Sequence, residues 1–422
     1  MEQIRPLLLV DFHSAVLSGG NRRTYEILRL AKSEGIDYIV MTDMRSCRNA
    51  AKMFPAYLDT LSNYKVYMKN HGEKLSQISG LKQAFAYKNI FDSALAISRV
   101  AKEEDADLIV GSEELESLWA SCIAGRYCKK PWTAVFQPTS DILQPSSSIG
   151  PLNATNTLKF VNQKASTKGL SFISRIGIAM ELSIQLKTAE KSLMLSVSAS
   201  VVEDFNFLDT RIKFHVIIPG NGIHPDKFAE ETCTGQEYDA IFFARLIPEK
   251  GLFDLPPIWK QITKSIPKAT LAVAGVTEDQ KYVNVFLDMI KKFDLSQNII
   301  FLGELEENTL IRSIKSSRST LYPSVLDSFS LVTLESLACG TPVVAYDIAA
   351  IRQNFGKCDA VLRCPVKDNK SMAERVLSII ENEKLRKVLS EKAKEYSAKY
   401  DWRSVVRAEK EGYLKVIEYS RK

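Results

Sequence analysis

The strongest constraint on this chain is an alternation that runs through most of its length. Leu7–Val10, Tyr38–Met41, Leu108–Val110, Thr133–Phe136, Leu193–Val197, Val216–Ile218, Ile241–Ala244, Leu271–Ala274, Ile299–Leu302 and Val343–Ala345 are short and apolar at nearly every position. A strand with one buried face alternates apolar and polar residues. A strand that is apolar throughout is covered on both faces, as in a parallel sheet flanked by helices. Stretches of helical period lie between several of these runs, such as Thr24–Lys32 with Gly35 as its stop. The alternation predicts an α/β fold of doubly wound parallel sheets.

With 422 residues, the chain can form two domains, each with a full core. The alternation restarts near residue 240, after Pro219-Gly220-Asn221-Gly222 and Pro225, the densest turn cluster in the middle of the chain. We read this cluster as a hinge between Rossmann-like domains over residues 1–215 and 216–402. An ordinary surface loop could carry the same residues, but its place near the midpoint favours the hinge. Residues 137–168 are rich in Ser, Thr, Asn, Gln and Pro and have no period, which suggests a functional loop. From Asn382 onward the chain is charged and helical, ending in the amphipathic stretch Val405–Tyr419.

The charge balance removes some classes of function. A net charge of +6, without a long basic block, gives no reason to expect a nucleic-acid partner. Seven cysteines form no C-x-x-C pair, which argues against a disulfide framework or zinc site and for a cytoplasmic setting. Leu7–Val10 is too short for a leader's apolar region or a membrane span. No transmembrane segment is expected, and the mild basicity leaves room for peripheral contact at the cytosolic face of a membrane. The D-x-D at Asp105-Ala106-Asp107 precedes its strand instead of ending it, so no metal is expected.

Three segments carry candidate chemistry. Leu321–Asp347 reads as a strand, a loop with Asp327-Ser328-Phe329-Ser330, and a helix from near Leu331 that Gly340 ends. Free N–H groups at Ser328 to Val332 suit an anion. Asp327 offers a carboxylate to sugar hydroxyls, and Glu335, on the helix face of Leu331, offers one to a diol such as ribose. Asp327 and Ser328 could equally be plain helix caps. Phe242–Gly251 reads as a strand delivering Arg245 and a tight loop delivering Lys250, two cations where open α/β sheets bind ligands and of the kind that holds a diphosphate. In Ser18–Leu30, Gly19-Gly20 lets phosphate or sugar approach the backbone. His13, just after the first strand, is a further candidate contact, although a loop histidine without a partner is more often structural.

The first of these segments resembles the E-x7-E region of retaining GT-B glycosyltransferases of glycosyltransferase family 4, whose usual text is similar to E-G-F-G-L-x-x-x-E-A-x-A-x-G-x-P-V-V. Here Asp327 stands for the first Glu and Ser330 for the second Gly, while Phe329, Leu331, Glu335, Ala338, Gly340, Pro342, Val343 and Val344 are kept. FFARLIPEKG resembles the family's G-R-L-x-x-x-K-G, and Gly19-Gly20 with Arg23 resembles its G-G-x-x-R. SVSASVVED, VIIPGNGIHPDKF, Phe301-Leu302-Gly303 and Trp402 are similar to further family segments. The family often has His after the strand near Thr133–Phe136, where this chain has Gln137. It also has G-G-x-x-E where this chain has Ala349 to Gln353.

The resemblance implies a GT-B architecture, two Rossmann-like domains facing across a cleft, with residues 403–422 packing back on the first. It implies a retaining, metal-independent hexosyltransferase that uses a UDP- or GDP-sugar and no other cofactor. Its acceptor would be a glycan or a lipid-linked glycan. Arg245 and Lys250 would hold the diphosphate together with Gly19, Gly20, Ser330 and Leu331. Asp327, Ser328, Phe329 and Ser330 would hold the donor sugar, and Glu335 the ribose. His13, Arg23 and Gln137 would be further donor or acceptor contacts. The leaving phosphate would itself take the acceptor's proton, with Asp327, Arg245 and Lys250 as the catalytic set. A non-catalytic sugar-nucleotide-binding protein and a GT-B-type epimerase are the alternatives. A phosphorylase is disfavoured by length, and a dehydrogenase by the missing G-x-G-x-x-G after the first strand.

Overall fold

The apolar runs form strands of two separate parallel sheets. The structure is a computed structural model that describes residues 3–12, 19–69, 82–112, 115–137, 180, 183–206, 211–232, 235–277 and 279–422. It divides into one unit made of Met1–Gly220 with Trp402–Lys422 and a second made of Asn221–Asp401.

The first unit has strands β1 (Pro6–Leu9), β2 (Ile39–Thr42), β3 (Lys65–Met68), β4 (Leu108–Ser112), β5 (Trp132–Phe136), β6 (Leu193–Ser196) and β7 (Lys213–Val216). Their order is β3-β2-β1-β4-β5-β6-β7, with every pair parallel. Residues alternate between two cores. Leu7, Ile39, Met41 and Ile109 face one, and Tyr38, Val40, Leu108 and Val110 face the other. Both faces are therefore apolar, as the unbroken runs require. The helix Gly19–Ala31 begins five residues before the Thr24 expected from periodicity, and Gly35 stops the turn that follows it in the left-handed conformation (φ 79°). β7 ends at Val216, earlier than expected, because Ile218 is 78% exposed and leads into Pro219, which has no N–H for a ladder.

The last helix, Trp402–Ser420, packs in the first unit, burying Trp402, Val405, Val406, Tyr413 and Val416. Arg403 and Arg407 both pair with the buried Glu34, and the Lys410 ammonium donates to the Glu34 carbonyl at 3.2 Å.

The second unit has β8 (Ala240–Phe243), β9 (Leu271–Ala274), β10 (Ile299–Gly303), β11 (Thr320–Tyr322), β12 (Val343–Tyr346) and β13 (Val361–Cys364). Their order is β10-β9-β8-β11-β12-β13, again parallel throughout. Its core includes Phe242, Trp259, Phe286, Tyr322, Tyr346 and Phe355. Successive connections run outward in opposite directions from the β8–β11 neighbourhood, which makes it the topological switch point. In such sheets, ligands bind outside the carboxyl ends of the switch-point strands.

Six cysteines (Cys47, Cys122, Cys128, Cys339, Cys358 and Cys364) are buried and unbridged. Among the described residues, no helix is long and apolar enough to cross a membrane.

Candidate functional site

The loops that leave β8 and β11 at this switch point carry the candidate residues of the second unit. They are stitched together by backbone. Val325 N–H donates to the Glu249 carbonyl at 2.9 Å, and the Ser324 hydroxyl donates to the same carbonyl at 3.2 Å. Gly251 lies at φ 82°, and a Cβ there would stand 2.1 Å from the Pro323 carbonyl oxygen. No side chain fits, so glycine is what lets the Lys250 loop lie against the β11 loop.

This contact forms a closed polar cluster. The Lys250 ammonium donates to the Asp327 carboxylate at 2.7 Å, to the Leu326 carbonyl at 2.9 Å and to the Tyr322 hydroxyl at 3.4 Å. The Tyr322 hydroxyl donates to the same Asp327 oxygen, Oδ2. The other oxygen, Oδ1, accepts from the N–H groups of Phe329 at 3.2 Å and Ser330 at 3.1 Å. Side-chain exposure is 13% for Lys250 and 16% for Asp327, so the pair is largely withdrawn from water yet still reachable. Burial would push the Lys250 ammonium down, but the Asp327 charge beside it prevails and holds it above its usual range. Burial would likewise raise the Asp327 carboxyl, but Lys250 and the other donors hold it below the carboxylate range. Tyr322 is pushed up to about 12, first by burial and then by the Asp327 charge. All three groups therefore keep fixed protonation states near neutrality.

The helix Leu331–Ala338 starts immediately after the cluster. Ser330 is its N-cap, and its hydroxyl accepts from Thr333 N–H at 3.3 Å. Its φ is 75°, the left-handed region where the related motif has glycine. Phe329 is buried and packs its ring against Phe355 and Tyr400, so only its backbone is left for a ligand. The Phe329 ring has a core role, so the donor-sugar contact expected of Phe329 would fall to its backbone. Ser328, Leu331 and Glu335 are half-buried around the first turns. Arg245, two residues beyond β8, is exposed and has no ion pair among the described residues.

In the first unit, Gly19 and Gly20 form the first turn of the helix that follows β1. Gln137 follows β5, and its side-chain oxygen is buried without a hydrogen-bond partner among the described residues. His13 and residues 138–168 lie outside the described residues. Arg23, expected at a ligand, is instead 3% exposed and ion-paired with Glu409, which is 2% exposed. Its Nε donates to the Gly220 carbonyl at 2.7 Å. Glu409 accepts from Tyr413 at 2.8 Å, and the Tyr413 and Tyr38 hydroxyls meet at 3.0 Å. Every polar end of Arg23 that has a partner here is inside the core, which assigns it a structural role. Tyr322 was not singled out from sequence, although a hydroxyl closing a short apolar strand directly before Pro323 was a visible signal.

Residues 224–396 match the family model described as Glycosyl transferases group 1. The second unit is a glycosyl transferases group 1 domain. Its matched span contains every residue of the β8 and β11 loops described above. Curated relatives include a glycogen synthase of Mycobacterium tuberculosis, 24% identical over 229 residues, which cover 53% of this chain and 54% of that protein. A phosphatidyl-myo-inositol mannosyltransferase of Mycolicibacterium smegmatis is 29% identical over 163 residues, covering 38% and 40%. The chain thus spans about half the length of the curated relatives it matches. A solved glycosyltransferase of Rickettsia africae superposes with a TM-score of 0.71 at 15% identity, covering 99% of this chain and 100% of that one. At that identity the likeness is one of fold. With the two parallel sheets, it makes the group 1 domain part of a GT-B-type fold.

Proposed function

We propose that this protein transfers a sugar from a nucleoside-diphosphate donor, UDP- or GDP-linked, to a glycan or lipid-linked glycan with retention of anomeric configuration. The observation that carries the reading is the convergence on one switch point of Lys250, the neighbouring Arg245 and the open first turn of Leu331–Ala338, all within a group 1 domain. Two cations and a set of helix N-terminal amides suit a diphosphate.

In the proposed reaction the bond between the anomeric carbon and the diphosphate oxygen breaks, and a bond to the acceptor hydroxyl oxygen forms. The acceptor's proton passes to the departing diphosphate. Arg245, Lys250 and the helix N-terminal amides of Leu331 and Val332, beyond those of Phe329 and Ser330 that Asp327 holds, stabilise the negative charge that grows on the leaving group, which lowers the barrier only to the extent that they bind the transition state better than the ground state. Glu335 holds the ribose hydroxyls. Gly19, Gly20, Gln137 and His13 are the ligand contacts proposed for the first unit. No metal is required, because the protein's own cations balance the charge. A cytoplasmic protein, working at the cytosolic face of a membrane when its acceptor is lipid-linked, fits this donor chemistry.

The test is slow donor hydrolysis followed by proton NMR in the presence of a chelator. Release of sugar with its original anomeric configuration is expected. Inverted sugar, or turnover that requires a divalent ion, would overturn the mechanism.

A further inference from the structure

The Asp327 carboxylate is full. An ionised carboxylate has about four acceptor positions. Phe329 N–H, Ser330 N–H, the Lys250 ammonium and the Tyr322 hydroxyl occupy four. None is left for a sugar hydroxyl. The Oδ1 contacts are local, from the N–H groups two and three residues ahead, an arrangement that short Asp side chains make and longer Glu side chains do not. A Glu at this position, the residue usual in the related motif, would extend past Phe329 N–H and Ser330 N–H and push into Lys250 and Tyr322.

Lys250 is nearly full as well. Its three N–H bonds point at Leu326 O, Asp327 Oδ2 and the Tyr322 hydroxyl, and the last, at 3.4 Å, is much the longest. Tyr322 already spends its own proton on Asp327. The third leg is thus the one an incoming phosphate oxygen can replace, while Asp327 and the Leu326 carbonyl keep the ammonium in place. A cation fixed before the ligand arrives loses little side-chain entropy on binding.

We infer that Asp327 and Tyr322 are positioning residues that hold the Lys250 ammonium for the donor diphosphate, and that Asp327 does not bind the donor sugar. This rests on the proposed nucleotide-sugar reading. Asp327 then contributes nothing to sugar choice directly, and its substitution acts on the nucleotide half of the donor.

The experiment compares a bare nucleoside diphosphate with the corresponding nucleotide sugar. UDP, GDP and their glucose and mannose conjugates are titrated calorimetrically into the wild type, Asp327→Asn, Asp327→Glu and Tyr322→Phe. Thermal melts report the folded fraction of each. The expected result is that each variant weakens nucleoside diphosphate and nucleotide sugar by the same factor. The factor is about tenfold or more for the Asp327 variants and about threefold for Tyr322→Phe, as for loss of hydrogen bonds around a charged group. Asp327→Glu is expected to be harmful although it restores the usual motif residue. Three results overturn the inference. One is Asp327→Asn binding the nucleoside diphosphate like the wild type while losing the nucleotide sugar. Another is Asp327→Glu binding the nucleotide sugar as well as or better than the wild type. The third is unchanged affinity per folded molecule in all variants, which would make the cluster a stability device only. A wild type that binds no nucleotide at millimolar concentration would instead overturn the donor reading itself, and this inference with it.

Discussion

Arg23 offers a quantitative test of whether the first unit uses it for ligand or for fold. Its guanidinium and the Glu409 carboxylate are both almost fully buried, and the same guanidinium holds the Gly220 carbonyl. Replacing Arg23 by Met keeps most of the volume but leaves Glu409 as a lone buried carboxylate beside two buried tyrosines. Breaking a buried ion pair by removing one partner costs about 3–5 kcal/mol. The Gly220 carbonyl, left without its donor, adds about 1 kcal/mol. For a domain of this size, each kcal/mol lowers the midpoint by about 2–4 °C, so Arg23→Met is expected to melt roughly 8–24 °C lower. Glu409→Leu should behave similarly. The double variant leaves neither charge stranded and should recover part of the loss. Differential scanning fluorimetry with a denaturant titration reads all four proteins, and nucleotide affinity is measured below the midpoint. Single variants within about 1 kcal/mol of the wild type, or a double variant worse than both singles, would refute the buried-pair argument. Lost nucleotide affinity with an unchanged melt would return Arg23 to the ligand.

Three further outcomes follow from the second unit. Gly251→Ala places a Cβ 2.1 Å from the Pro323 oxygen at a positive φ, so the two site loops must part. Destabilisation of more than about 2 kcal/mol, with loss of nucleotide binding, is expected in denaturant and calorimetric titrations. A stable, fully binding Gly251→Ala would mean the loops are not in contact. Ser330→Ala removes the helix cap while keeping the unfavourable φ of 75°, and should cost about 1 kcal/mol. Ser330→Gly also lacks the cap but relieves the φ and should be milder, so an Ala variant more stable than the Gly variant contradicts the strained φ, and an Ala variant as stable as the wild type contradicts the cap. The Asp327 carboxyl is held low, so its stabilising contribution is present above its unfolded range, about 4, and is lost as pH falls through the lowered folded value. The Lys250 ammonium is held high, so its contribution is present below about 10.4 and is lost only as pH rises through the raised value. Nucleoside-diphosphate affinity should therefore show no break from this pair between about pH 5 and pH 10. A break near neutrality that vanishes in Asp327→Asn would contradict that.

Most of the strands that sequence made visible are buried on both faces, where every position is apolar; the edge strand β10 is an exception, an apolar run that leaves Ile300 and Phe301 exposed. The edge strand β3, Lys65–Met68, leaves Val66 and Met68 exposed and carries a Lys and a Tyr, so no unbroken apolar run marks it. β13 contains Arg363, which reaches out to Asp347, and is interrupted in the same way. β11, Thr320–Tyr322, has only three residues and was visible mainly through the Pro323 that ends it. In the site, Arg245, Lys250 and Glu335 were legible because their motifs are local. Arg23 was not, because its partner Glu409 lies 386 residues along the chain and no local pattern reveals which cation a distant helix will bury. Asp327 is legible as a loop carboxylate just before a helix. What it holds depends on Tyr322 and on the backbone angles of Ser330, neither of which residue type alone discloses.

The most direct test of the central claim is calorimetric binding of UDP-, GDP- and ADP-sugars, without metal, to the wild type, Lys250→Ala and Glu335→Ala. The account expects saturable binding of one nucleotide by the wild type and about tenfold or greater weakening in each variant, with melts that show the variants folded. A wild type that binds none of them at millimolar concentration, or variants that bind as tightly as the wild type, would contradict a nucleotide-sugar site at the β8–β11 switch point.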